Sequence, residues 1–83
     1  SYRIVIRKPA EDRLKGYDKE IQRWFVQKIR KLSNYPDIHG KPLRGSLHGL
    51  WEVYFERKFR ILYTIDIEKG EVIIEAIKHK DEF

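Results

Sequence analysis

The sequence predicts an α+β domain with the element order β-α-α-β-β-β, a mostly antiparallel sheet packed against an N-terminal helical hairpin. Three observations carry that prediction. Apolar and polar residues alternate with a period of two at the start of the chain and in its C-terminal half, the pattern of half-buried strands. Between those regions apolar residues recur at helical spacing, so one helix face needs a partner and the sheet supplies it. At the centre, two alternating runs are separated by only three charged residues, short enough for a hairpin.

The elements follow in order. Tyr2–Arg7 sets Tyr2, Ile4 and Ile6 against Arg3, Val5 and Arg7, a first strand. Pro9 suits the first turn of a short helix running to Lys15, with Glu11 and Asp12 near its positive end and Gly16 to stop it. Asp18 is the expected N-cap of a second helix, in which Ile21, Trp24/Phe25, Lys28/Ile29 and Leu32 recur at helical spacing up to about Asn34. Pro36 is expected to close it, and Asp37–Pro42 reads as a loop. Gly45 and Gly49 bracket a short turn or partial strand. Trp51, Val53 and Phe55 then alternate with Glu52 and Tyr54. After Glu56-Arg57-Lys58, the residues Phe59, Ile61, Tyr63 and Ile65 repeat the pattern with Arg60 and Thr64 on the other face. A last strand is expected from Val72 to His79. A helical crossover separates the first strand from the rest, which allows it to join the sheet in parallel. In the last strand Val72, Ile74 and Ala76 are apolar on one parity while Ile73 and Ile77 occupy the other, so both faces read as buried and parity does not fix which one is outward. With a bulge in this strand, Lys78 and Lys80 could fall on either face.

Composition narrows the function. Eighty-three residues with eleven aromatics make one small folded domain, 1–83. No apolar run approaches the ~20 residues of a membrane span, and no secretory leader pattern is present. Without cysteine there is no disulfide or thiolate site, and a cytoplasmic location is expected. The 37% charged residues, rich in Lys, Arg and Glu, hint at a thermophilic source. The net charge is +5, and residues 1–43 hold eleven Lys/Arg against five Asp/Glu. That surplus suits a surface meeting a polyanion; a well-solvated helix accounts for it equally. His39, His48 and His79 lie in separate segments without metal-ligand spacing, so neither a metal nor a cofactor is expected.

Leu43-Arg44-Gly45, Leu50-Trp51-Glu52-Val53 and Phe59-Arg60-Ile61-Leu62-Tyr63, followed by Ile77-Lys78-His79-Lys80, resemble the motifs of the RelE/ParE toxin superfamily. Each motif is short and degenerate; their order and spacing over residues 43–83 carry the resemblance, and the chain is most like an archaeal-type RelE toxin. The resemblance implies a compact RelE-like fold and the toxin of a type II toxin–antitoxin pair. Its partners would be a RelB-like antitoxin, the ribosome and messenger RNA. The activity implied is metal-independent, ribosome-dependent cleavage of mRNA in the A site, with the substrate's own 2′-hydroxyl as nucleophile.

Such a reaction needs a base, charge balance at the phosphate and a proton for the leaving oxygen. Arg60 stands at the superfamily's arginine position and its fork could clamp two phosphate oxygens; a sheet-face arginine paired with Glu52 is the structural alternative. Lys80 stands where the superfamily usually has a second arginine. Tyr54 shares a face with Arg60 and could stack on a base or donate a proton, and Glu52 could act as base. Arg44 and His48 could touch RNA from the glycine-bracketed turn. Lys19, Arg23, Arg30 and Lys31 on the second helix could dock on ribosomal RNA through phosphates, without reading sequence. Two departures stand out. The best-known RelE-type enzymes carry two lysines where this chain has Glu52 and Tyr54, and a tyrosine just past the last strand, where this sequence ends at Phe83. They keep open a ParE-like inhibitor of DNA gyrase and a non-catalytic or decayed RNA-binding homologue.

Overall fold

The computed structural model describes residues 1–82. Its elements are β1 (Arg3–Ile6), α1 (Lys8–Lys15), α2 (Lys19–Asn34), α3 (Pro36–His39), β2 (Lys41–Pro42), β3 (Trp51–Phe55), β4 (Phe59–Asp66) and β5 (Glu71–His79). The five strands form one sheet in the order β1-β5-β4-β3-β2. β1 pairs with β5 in parallel, Ile4 opposite Val72 and Ile6 opposite Ile74, and every other pairing is antiparallel. The crossover through α1 and α2 makes that one parallel pairing possible. The α+β expectation holds, including the helical hairpin on one face.

Each helix starts for a local reason. Asp18 is extended (φ −69°, ψ 169°) and its carboxylate accepts the Ile21 N–H at 3.0 Å, satisfying one orphan donor of α2. α1 begins at Lys8 with Pro9 in its first turn. Phe25 and Leu32 of α2 are buried against Val53, Phe55, Phe59, Ile61, Tyr63, Val72, Ile74 and Ile77 of the sheet, and Ala10 of α1 completes that core. Aromatic rings fill the end beneath the β3–β4 turn. Phe55 and Phe59 stack at 4.9 Å, Phe25 meets Phe55 edge-on at 6.0 Å, and Tyr17 meets Phe59 edge-on at 5.2 Å.

Residues 35–42 are where the fold departs from expectation. Pro36 does not simply follow α2: it opens the one-turn helix α3, because proline lacks an N–H and is tolerated where that donor has no partner. The expected loop Asp37–Pro42 thus holds most of α3 and the edge strand β2, in which Lys41 faces Glu52 and Pro42 faces Trp51. Tyr63 fixes this segment. Its ring is wholly buried and stacked on Trp51 at 6.4 Å, and its hydroxyl donates to the Pro36 carbonyl at 2.6 Å. Burial pushes the Tyr63 phenol well above its ordinary value of 10. The folded state therefore keeps a proton that the unfolded chain releases, and the stability tied to it is complete below pH 10 and lost above. Tyr63→Phe is expected to cost about 1–3 kcal/mol at neutral pH through the orphaned carbonyl, and to lose stability less steeply than wild type above pH 10. Urea melts of both proteins at neutral and alkaline pH check this; parallel pH profiles would remove Tyr63 from the alkaline transition.

The β3–β4 turn carries strain. Glu56 and Arg57 both have positive φ, 51° and 59°, a region costing L-residues about 1–2 kcal/mol each. Hairpins with two such positions favour Asn-Gly. The double replacement Glu56→Asn, Arg57→Gly is expected to stabilise the domain by about 1 kcal/mol, the gain being partly offset by glycine's freedom in the unfolded chain. Thermal unfolding should then shift upward by about 4–8 °C. A midpoint no higher than wild type would show that the turn is not strained in solution.

No helix is long and apolar enough to cross a membrane among the described residues.

Candidate functional site

β5 determines which side chains share the outer face of the sheet. Its register with β4 runs Phe59–His79, Arg60–Lys78, Ile61–Ile77 and Leu62–Ala76, then slips so that Tyr63 faces Ile74. Glu75 is the extra residue of a bulge, which reverses the parity of everything after it. Val72 and Ile74 point into the core on one parity and Ile77 on the other, so Ala76 and Lys78 face outward. The bulge is held by the Glu75 carboxylate, which accepts from Thr64 Oγ1 at 3.1 Å and lies 3.7 Å from Arg7 Nε.

Across β3 and β4, Tyr54 lies directly opposite Arg60, and Glu52 opposite Leu62. Glu52, Tyr54, Arg60 and Lys78 therefore meet on the face turned away from the helices, drawn from three adjacent strands. Arg60 Nε donates to Glu52 Oε2 at 2.6 Å, a charge-assisted contact. The two side chains are only 19% and 11% exposed, so the pair is more shielded than the surface ion pairs that contribute little. Tyr54 is 41% exposed above it. A carboxylate, a guanidinium, a phenol and an ammonium thus stand on one sheet surface.

The other expected site residues divide. Lys80 lies one residue beyond β5, in a 3-10 turn over Lys80–Glu82, and its N–H donates to the Lys58 carbonyl at 2.7 Å. That ties the end of β5 to the β3–β4 turn, while Lys78 is the lysine paired across from Arg60. Arg13 forms an ion pair with Glu82, whose carboxylate also accepts the His79 N–H at 2.7 Å. Phe83, beyond which the resemblance implies a tyrosine, lies outside the described residues. Arg44 and His48 are exposed at the two ends of a 3-10 turn over Gly45–Leu47, in the connection from β2 to β3. Lys19, Arg23 and Arg30 line a hollow of about 540 Å³ on the solvent side of α2, with the core and sheet between them and Arg60. The structure does not bring them into the cross-strand cluster.

Sequence reasoning missed a second feature. β2 covers only Trp51 and Glu52 of β3, so the edge of β3 from Val53 onward is open. A hollow of about 380 Å³ lies there, lined by Lys28 of α2, His39 of α3, Gly40, Lys41 of β2 and Glu52, Val53 and Tyr54 of β3. A second hollow of about 330 Å³ shares Lys28 and continues past Lys31 and Trp24 to Phe55 and Glu56. Lys31, one of the expected RNA contacts, belongs here rather than with Arg23. Only the period of α2 could have hinted at this, since Lys28 falls inside the apolar stripe. Among the described residues no group of three or more His, Cys, Asp or Glu is arranged to hold a metal ion.

Comparison with known proteins agrees with this fold. Residues 12–82 match the family described as Phage derived protein Gp49-like (DUF891). A search of curated protein sequences finds no match. Among solved structures, the toxin–antitoxin complex RelBE2 of Mycobacterium tuberculosis holds a chain 30% identical to this one. It superposes with a TM-score of 0.87 over 95% of this chain and 98% of that one. The isolated RelE toxin of E. coli superposes at 0.81, with 16% identity over 95% and 84% of the two chains. A chain of the archaeal RelE–RelB complex from Pyrococcus horikoshii superposes at 0.74, with 19% identity over 99% and 98%. With a family match over most of its length and a 30% identical relative that covers 95% of it, this chain belongs to the Gp49-like family of the RelE/ParE toxin superfamily.

Proposed function

We propose that this chain is the toxin of a type II toxin–antitoxin pair and acts as a ribosome-dependent endoribonuclease on mRNA in the A site. The observation that carries the reading is the meeting of Glu52, Tyr54, Arg60 and Lys78 on the sheet face turned away from the helices. The relatives crystallised with antitoxins support a RelB-like antitoxin as partner.

The residues present suit transesterification. An incoming phosphodiester competes with Glu52 for the Arg60 guanidinium, which can hold two of its oxygens. The released carboxylate takes the proton of the 2′-hydroxyl, and the 2′-oxygen attacks phosphorus. The bond to the 5′-oxygen breaks as that oxygen takes a proton from Tyr54, leaving a cyclic phosphate and a 5′-hydroxyl. Lys78, with Lys80 just beyond it, balances the charge gathering on the phosphate. Arg44 and His48 supply contacts to RNA from the β2–β3 connection, and Lys19, Arg23 and Arg30 supply phosphate contacts to ribosomal RNA on the opposite side.

The test is primer extension of mRNA on programmed ribosomes, with gyrase supercoiling assayed beside it. Cuts within the A-site codon that require the ribosome are expected. Intact mRNA with blocked supercoiling would move the chain to the ParE-like reading, and silence in both to a binding domain without catalysis.

A further inference from the structure

The two hollows along the open edge of β3 share Lys28 and together form a trough beside the outer face. Four basic side chains line it from three elements: Lys28 and Lys31 of α2, His39 of α3 and Lys41 of β2. Two carboxylates stand against them: Glu52, paired with Arg60 in the free protein, and Glu56 at the far end on the turn. Glu52 and Tyr54 line both this trough and the cross-strand cluster, so the two surfaces are continuous. The trough therefore has the charge of a polyanion site and an entrance beside the proposed point of cleavage. Its larger hollow, about 380 Å³, falls within the range of roughly 300–1,000 Å³ usual for sites that enclose a small ligand.

We infer that this trough is a second subsite for single-stranded RNA, which holds the nucleotide next to the scissile phosphate. Lys28 and Lys41 contact its phosphate, and its base lies against the wall formed by Tyr54 and His39. The inference rests on the nuclease reading for the identity of the strand. A flanking phosphate gripped here fixes the scissile one over Arg60, which orders the backbone for in-line attack.

Fluorescence anisotropy of a labelled hexauridine with the purified chain, between about 50 and 200 mM salt, tests this directly. The double variant Lys28→Gln, Lys41→Gln is expected to bind at least tenfold more weakly. Its plot of log affinity against log salt should be shallower by about 1.4, the loss of two single-strand phosphate contacts. Lys15→Gln, Lys69→Gln removes the same charge far from the trough and is expected to change affinity less than threefold; thermal melts confirm that both variants fold. The inference is overturned if the wild type does not bind the oligonucleotide, if the salt slope is unchanged in the first variant, or if the control weakens binding equally. Cleavage on ribosomes separates it from the reading beneath it. A wild type that binds through Lys28 and Lys41 but cuts nothing retains the subsite and loses the nuclease. One that cuts while the lysine variant binds with wild-type affinity and slope retains the nuclease and loses the subsite.

Discussion

Arg60→Ala is expected to lower the single-turnover rate of mRNA cleavage on programmed ribosomes by about 10²- to 10³-fold, the usual cost of removing a group that meets charge in the transition state. The geometry makes this more than a charge deletion. Arg60 is held by Glu52 at 2.6 Å on a largely shielded sheet surface, so its fork is already oriented before substrate arrives. Arg60→Lys keeps the charge but not the planar pair of donors, and should fall between alanine and wild type. Glu52→Gln separates catalysis from positioning. If the carboxylate is the base, its loss should cost about 10²-fold or more in rate. If it only aligns Arg60, the amide oxygen can still accept the Nε–H and the rate should fall only a few-fold. The alanine variant leaves Glu52 without its Arg60 contact, so a melting curve must accompany the kinetics. A folded Arg60→Ala protein that cuts within threefold of wild type would remove Arg60 from the site and leave the pair as structural.

Much of this surface was legible in the sequence, for a physical reason. Strands with one buried face declare it through alternation, and β3 and β4 do so cleanly: Val53, Phe55, Phe59, Ile61 and Tyr63 are all buried. The shared face of Glu52, Tyr54 and Arg60 followed from parity alone. Alternation failed in β5 because Glu75 bulges, and no residue type announces a bulge. The resemblance puts the second cation at Lys80, the superfamily's arginine position, whereas the strand pairing sets Lys78 opposite Arg60. The segment 35–42 was obscured for another reason. Proline ends one helix and begins another by the same lack of an N–H, so Pro36 was consistent with either outcome. The edge strand β2 is two residues long and contains a proline, leaving no periodicity to detect. The trough depends on where β2 stops along β3 and on which part of α2 passes beside that edge. Both are tertiary facts, invisible to local pattern.

The second large effect is expected at Gly40, between His39 and Lys41 in the wall of the trough. Its backbone is extended (φ −118°, ψ −176°), a conformation open to any residue, so conformational freedom is not why glycine is needed. Space is the reason. A Cβ at this position would overlap the Tyr63 hydroxyl and lie 2.7 Å from the Glu52 carbonyl oxygen and 2.9 Å from Tyr63 Cζ. None of these can retreat cheaply. Tyr63 is fully buried and bonded to the Pro36 carbonyl, and the Glu52 carbonyl is part of β3. Gly40→Ala is therefore expected to cost about 3 kcal/mol or more, combining overpacking with loss of the hydroxyl's bond. That is a large share of the roughly 5–15 kcal/mol that holds a domain together. A double-mutant cycle identifies the cause. Tyr63→Phe deletes the atom that the new methyl meets first, so the double variant should be more stable than the sum of the single losses by at least 1 kcal/mol. The remaining contacts at 2.7 and 2.9 Å should keep it below Tyr63→Phe alone. Strict additivity in urea melts would show that the two residues do not collide and that Gly40 is held for another reason. Coupling of the expected sign would establish that Tyr63, the last residue of the Phe-Arg-Ile-Leu-Tyr motif, sets the position of β2 and with it one wall of the proposed RNA subsite.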